Sequence, residues 1–159
     1  MIEKFFDNIF TGNFDKEEVK KKLIEMHQRE GGETIEEIFY AAKSMREHMT
    51  SIKIDSKEDL LDIVGTGGDG KSSINISTIA AIVAAGAGCK VAKHCNKGAS
   101  SSFGSADFLE ALGVKIDLKP EQTKQVIEDI GIGFMYAPIY HPAMKNVAQI
   151  KKSLCFTAP

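Results

Sequence analysis

A chain of 159 residues with a formal charge of −2 is long enough to bury one good core, and without a basic excess it excludes nucleic acid as an expected partner. Its three cysteines, Cys89, Cys95 and Cys155, have neither a CxxC nor a zinc-ligand spacing and their odd number argues against a disulfide framework; Cys89 and Cys155 are expected to be buried thiols. The first ten residues include Glu3, Lys4 and Asp7 and are not read as a secretory signal, and no run approaches the roughly 18 apolar residues that span a bilayer, so a soluble cytoplasmic protein with no membrane partner is expected.

In chain order, Ile2, Phe5, Phe6, Ile9 and Phe10 recur at helical spacing and predict a short helix stopped at Gly12-Asn13. Asp15 followed by Glu18 reads as a capping box for a second helix, with Val19, Leu23 and Met26 inward and a stop at Gly31-Gly32. Thr34 and Glu37 repeat the pattern for a third helix, striped by Ile35, Ile38, Phe39, Ala42, Met45 and Met49. Three short amphipathic helices cannot hide all these faces among themselves. Two readings stay open: the surplus meets another subunit or the next domain, or it packs within its own domain. The polar stretch Ser51 to Asp59 reads as the connection, giving a helical domain over 1–56 and an α/β domain over 57–159.

The second region alternates strand and helix. Leu60 to Val64 predicts a strand that runs into glycines 65, 67, 68 and 70, and a helix starts near Asn75. Ile76, Ile79, Ala80, Ile82, Val83, Ala84 and Ala85 leave that helix almost no polar face, which predicts burial on all sides. Lys90 to His94 is the next strand, followed by a small-residue loop from Asn96 to Ser102 and a helix from about Ser105 that stops at Gly113. Val114 to Leu118 predicts a third strand, Pro120 opens a helix ending at Gly131, Ile132 to Tyr136 predicts a fourth strand, and Pro142 opens a last helix to about Leu154. The fold class expected is α/β with an N-terminal all-α helical domain, its partial, mostly parallel sheet flanked by helices.

Both glycine loops then fall at carboxyl ends of strands, where ligands of such sheets bind. Glycines let the backbone approach anionic oxygens, and the unpaired N–H groups and dipole of a helix start favour negative charge. Lys71, Lys90, Lys93, His94 and Lys97 add a local basic cluster suited to a phosphorylated small molecule. The first loop matches both the P-loop spacing (Gly65-x4-Gly70-Lys71-Ser72) and the dinucleotide fingerprint (Gly65-x-Gly67-x-x-Gly70). Context argues against each. The helical signal begins near Asn75 rather than at the Lys-Ser step, Asp69 would sit inside a phosphate cradle, and the second strand ends in Lys93-His94 instead of the acid that grips ribose.

Longer motifs are more informative. Asp62-Ile63-Val64-Gly65-Thr66-Gly67-Gly68-Asp69, Asn75-Ile76-Ser77-Thr78, Lys93-His94-x-Asn96, Ser100-Ser101, Gly104-Ser105-Ala106-Asp107 and Ala137-Pro138-x-x-His141-Pro142-Ala143-Met144-Lys145 together resemble the anthranilate phosphoribosyltransferases. The resemblance implies dimerisation through the N-terminal helices and transfer of phosphoribose from phosphoribosyl pyrophosphate to anthranilate, with Mg²⁺, in tryptophan biosynthesis. By position it implies that Gly65 lies between the two substrates, and that Gly68, Asp69 and Ser73 line the diphosphate or ribose. It further implies that Asn75, Ile76, Ser77 and Thr78 cap a helix against phosphate, with the Ser77 hydroxyl on Mg²⁺. Lys93, His94, Cys95, Asn96, Lys97, Gly98, Ala99, Ser100, Ser101 and Ser105 would form the other half of the cradle. Asn96 and Lys151 would reach anthranilate.

Cys95 stands where the family commonly has glycine, and Lys151 where an arginine usually pairs the anthranilate carboxylate; lysine lacks the bidentate fork. The family also runs on for about as many residues again beyond the position of Pro159, including an acidic pair that holds Mg²⁺. The expectation is the front half of such an enzyme, either a truncated or split gene product or a fragment, complete only when a second chain supplies the rest. The alternatives are a noncatalytic phosphate-binding or dimerisation module and a related pyrimidine nucleoside phosphorylase.

Overall fold

The computed structural model describes residues 1–56, 59–65, 74–98 and 103–153. They fall into two compact units, one made of Met1–Met49 with the chain from His141 onward, the other of Thr50–Tyr140. The composition shift at 56/57 therefore lies close to the first division, while the last helix returns to the helical unit.

In the helical unit, α1 (Ile2–Thr11), α2 (Lys16–Gln28), α3 (Ile35–Glu47) and α8 (Met144–Ser153) surround a core of Phe6, Ile9, Val19, Met26 and Ile150. Gly12 ends α1 in the left-handed conformation at φ 80°, and the Asn146 side-chain amide donates to the Phe10 carbonyl at 2.9 Å. Asp15 caps α2 by accepting from the Glu18 N–H at 2.9 Å. Thr34 and Glu37 form the predicted capping box on α3, and Glu37 accepts in addition from the Arg29 guanidinium. Ile35, Ile38 and Phe39 remain on the surface, with Ile35 88% exposed, whereas Tyr40 and Ala41 of the same helix join the core.

The Arg29 guanidinium first, and the Thr34 N–H second, hold the Glu37 carboxyl down at about 2, against an ordinary 4.5. A carboxylate depressed on folding stabilises the native state above its unfolded value, and this contribution is lost as pH falls through the folded value. Thermal unfolding followed against pH should thus show stability falling between about pH 4.5 and pH 2. That part of the fall should be absent from Glu37→Gln; an identical pH profile in the variant would contradict the assignment.

The second unit contains a parallel sheet in the order β1 (Leu60–Leu61), β2 (Lys90–Cys95), β3 (Ile132–Tyr136). Leu60 and Leu61 pair with Lys90 and Val91, and Val91 to Cys95 pair with Ile132 to Tyr136. The helices of this unit are α4 (Ile76–Gly86), α5 (Ser105–Ala111), α6 (Pro120–Ile130) and α7 (Ala137–Tyr140). Ala92, Ile127, Met135 and Tyr140 form one core cluster, and Cys95, Ala106, Leu109 and Ile116 another. Gly133 lets β3 lie against α6: a Cβ there would stand 2.5 Å from Ile127 Cγ1.

Several expectations need correction. Val114 to Leu118 is not a strand; its period-two pattern reflects burial of Ile116, with Val114 beside it, and no ladder forms. The first strand stops at Leu61 instead of Val64. The last predicted helix is present as Met144–Ser153, and the one-turn helix Ala137–Tyr140 before it was not expected. Cys89 is exposed, and Cys155 lies outside the described residues. Most instructive is α4: Ala81 and Thr78 are fully buried, yet Ile76, Ile79, Ile82 and Val83 are exposed, Val83 by 66%. An all-apolar helix reports that both faces are suited to burial, and the described residues cover only one. The polar connection also contributes more than a link, since Ile52 and Ile54 pack on the Tyr140 cluster and Asp55 pairs with Lys124 at 2.8 Å.

Candidate functional site

Because β1 and β2 are parallel neighbours, their carboxyl ends open on the same edge of the sheet, and the two loops start there side by side. The ladder ends after Leu61 and Val91, and side chains take over. The Lys93 ammonium, with the residue only 1% exposed, donates to the Ile63 carbonyl at 2.5 Å and lies 3.4 Å from Ser77 Oγ at the start of α4. Burial holds its pKa below the usual lysine value, opposed by the nearby Asp62 carboxylate. Asp62 in turn accepts from the His94 backbone N–H at 3.2 Å and faces His94 Nδ1 at 2.7 Å. Gly65 follows three residues after Asp62 and is the last described position of the first loop.

The start of the second loop is held against α5. Ser105 Oγ accepts from the Asn96 N–H at 3.2 Å, and the Asn96 carbonyl accepts from the Ala106 N–H at 3.0 Å. Asn96 Oδ1 accepts from the Lys97 N–H at 2.9 Å. The Asp107 carboxylate takes the Gly98 and Gly104 N–H groups at 2.9 and 2.8 Å, and these two bonds hold its pKa below the ordinary range. The backbone donors of Asn96, Lys97 and Gly98 are therefore already satisfied, two of them by side chains of α5 and one within the loop. Lys97 pairs with Glu110 at 3.0 Å. Cys95 does not project into the loop: its side chain is packed with Ala106, Leu109 and Ile116, and burial pushes the thiol up to about 11. Only its backbone remains to face a ligand.

Asn75 precedes α4 without making a side-chain cap, Ile76 is exposed, and Thr78 is buried with its hydroxyl unpaired among the described residues. Gly68, Asp69, Ser73, Ala99, Ser100 and Ser101 lie outside the described residues, and Lys151 falls in α8 with its side chain likewise outside them. The structure thus brings together Ser77 and Lys93, sets His94, the next residue of the strand, with Asp62 and Tyr140, and places Asn96, Lys97 and Gly98 on the adjoining loop with Ser105 at the start of α5. Asp62 and Asp107 are the residues that motif reading left without a role. Their signal was an acid next to each glycine loop, in a place where a bare phosphate cradle has no use for negative charge.

Ser77 Oγ is an oxygen donor of the kind Mg²⁺ accepts, and that ion keeps waters and binds largely through substrate phosphates. One hydroxyl is a partial fit. Among the described residues no group of three or more His, Cys, Asp and Glu side chains is arranged to hold a metal, and no helix is long and apolar enough to cross a membrane.

The chain as a whole is similar to known proteins. The anthranilate phosphoribosyltransferase of Cupriavidus necator is 59% identical over 122 residues, covering 77% of this chain and 36% of the relative. The crystal structure of the Thermus thermophilus anthranilate phosphoribosyltransferase matches with a TM-score of 0.88 at 42% identity, covering 97% of this chain and 46% of that one. The Saccharomyces cerevisiae enzyme, solved in complex with phosphoribosyl pyrophosphate and Mg, matches with a TM-score of 0.84 at 30% identity over 96% of this chain and 46% of that one. The chain spans less than half the length of each of these proteins. A family model described as the glycosyl transferase family, a/b domain, covers residues 57–158, and the chain therefore belongs to that glycosyl transferase family.

Proposed function

We propose that this chain carries the phosphoribosyl-pyrophosphate-binding part of an anthranilate phosphoribosyltransferase, in which phosphoribose passes to the anthranilate amine and pyrophosphate leaves. The observation that carries the reading is the joining of two loop-bearing strand ends through Lys93, which reaches from β2 to Ile63 and to Ser77. A lysine placed between both loops and the start of α4 offers one positive charge to ligand oxygens held there. As the bond from C1′ to the pyrophosphate oxygen lengthens, negative charge grows on the leaving group and the ribose carbon gains oxocarbenium character. Preorganised cations and dipoles lower that barrier without a covalent nucleophile. Mg²⁺, when bound, would add Lewis-acid stabilisation to the leaving oxygens, with Ser77 as its ligand from this segment. Gly65, Gly68, Asp69, Ser73, Asn75 to Thr78, Lys93 to Ser101 and Ser105 are the proposed phosphoribosyl-pyrophosphate residues, and Gly65, Asn96 and Lys151 the anthranilate residues.

The exposed Ile35, Ile38 and Phe39 of α3 support a homodimer formed through the helical domain. The uncovered face of α4 supports completion of the α/β domain by a further polypeptide. A cytoplasmic setting follows from the proposed substrates. The test is turnover: with phosphoribosyl pyrophosphate and Mg²⁺, anthranilate fluorescence should decay once a polypeptide equivalent to the remaining length of the relatives is supplied. Steady fluorescence with both parts folded and mixed would refute the transferase reading and leave a binding module.

A further inference from the structure

The double grip of Asp62 on His94 has no role in the proposed chemistry. It lies where the ladder between β1 and β2 has run out, so together with the bond from Lys93 to Ile63 it fixes the second strand end against the first. Its geometry also fixes a proton. One carboxylate oxygen faces the His94 backbone N–H, an obligatory donor, and the other faces ring Nδ1, which must donate to an ionised carboxylate. The ring also stands nearly perpendicular to that of Tyr140, with centroids 6.4 Å apart.

We propose that Asp62 is a positioning residue of the anion site, acting through His94: it locks the imidazole in the Nδ1–H tautomer and holds its ring beside the start of the second loop at Asn96. This rests on the reading of the two loops as one anion site. An amide in place of the carboxylate gives a sharp test. In Asp62→Asn the amide oxygen must face the backbone N–H, so the amide NH₂ faces the ring and forces Nδ1 to accept. The shape stays and the tautomer inverts.

The experiment compares the unaltered chain, Asp62→Asn, His94→Gln and the double variant. Imidazole ¹⁵N shifts at about pH 9, where free imidazoles are neutral, report the tautomer; calorimetry with Mg-phosphoribosyl pyrophosphate reports affinity. We expect Nδ1–H in the unaltered chain and Nε2–H in Asp62→Asn, with affinity reduced about tenfold, the lower end of what orienting partners contribute. The double variant should bind like His94→Gln alone, because Asp62 has no effect once its target is gone. An unchanged tautomer, an unchanged affinity after inversion, or losses that add in the double variant would each overturn the role of Asp62 while leaving the anion site in place. Absence of binding by the unaltered chain would overturn both.

Discussion

Replacing Gly104 by alanine is expected to destabilise the second unit by about 3 kcal/mol, the upper end of overpacking costs. A Cβ at this position would stand 2.4 Å from the Gly98 nitrogen, 2.6 Å from the Asn96 carbonyl oxygen and 2.6 Å from the Lys97 carbonyl carbon. All three are backbone atoms, so no rotamer change relieves the clash, and the loop must separate from the start of α5. That movement breaks the bond Asp107 makes to Gly98 and the one from Ala106 to Asn96. For a chain of this size the melting temperature should fall by roughly 10 °C, and polyphosphate binding should be lost together with the loop. Thermal melting followed by circular dichroism checks the first effect. A variant that melts with the unaltered protein would mean that the close approach of loop and helix is not present in solution.

Lys93→Met separates the charge from the packing. Methionine reproduces much of the lysine stem, so the core is refilled; the Ile63 carbonyl loses its partner at about 1–3 kcal/mol, while removal of a buried ammonium offsets part of that cost. The net change in stability should therefore be small. Affinity for Mg-phosphoribosyl pyrophosphate, in contrast, should fall about thirtyfold, as expected when a hydrogen bond to a charged group worth about 2 kcal/mol is removed. Lys93→Ala should show both effects at once, because it leaves a cavity as well as an orphaned carbonyl. Unchanged affinity in a folded Lys93→Met would show that the lysine serves only the joint between strands.

How far the sequence disclosed this arrangement depended on the kind of signal. The caps of α2 and α3 were legible because the Asp15/Glu18 and Thr34/Glu37 pairs are local and their partners lie three residues apart. The stops at Gly12 and Gly131 were legible for a similar reason, since both adopt positive φ. Periodicity failed where burial and pairing part company. Val114 to Leu118 alternates because one side faces the core, and no neighbouring strand edge exists for it in the described residues. The reading of α4 failed for the opposite reason, because composition records what a helix can bury and not what lies beside it.

At the site, glycine spacing located both loops but could not assign their donors. That Asp107 would occupy the Gly98 and Gly104 N–H groups depends on how the loop closes on α5, which spacing does not encode. Cys95 was misplaced by motif position alone; in register with Tyr136, it faces the Leu109 cluster as the last residue of β2. The link from Lys93 to Ile63 spans 30 residues and exists only because β1 and β2 are neighbours.

The central claim is that these two strand ends serve one polyphosphate. Calorimetric titration of the folded chain with Mg-phosphoribosyl pyrophosphate measures it most directly. The account predicts saturable binding with one ligand per chain, weakened about thirtyfold by Lys93→Met. No heat of binding from a sample shown by its melting transition to be folded would contradict it.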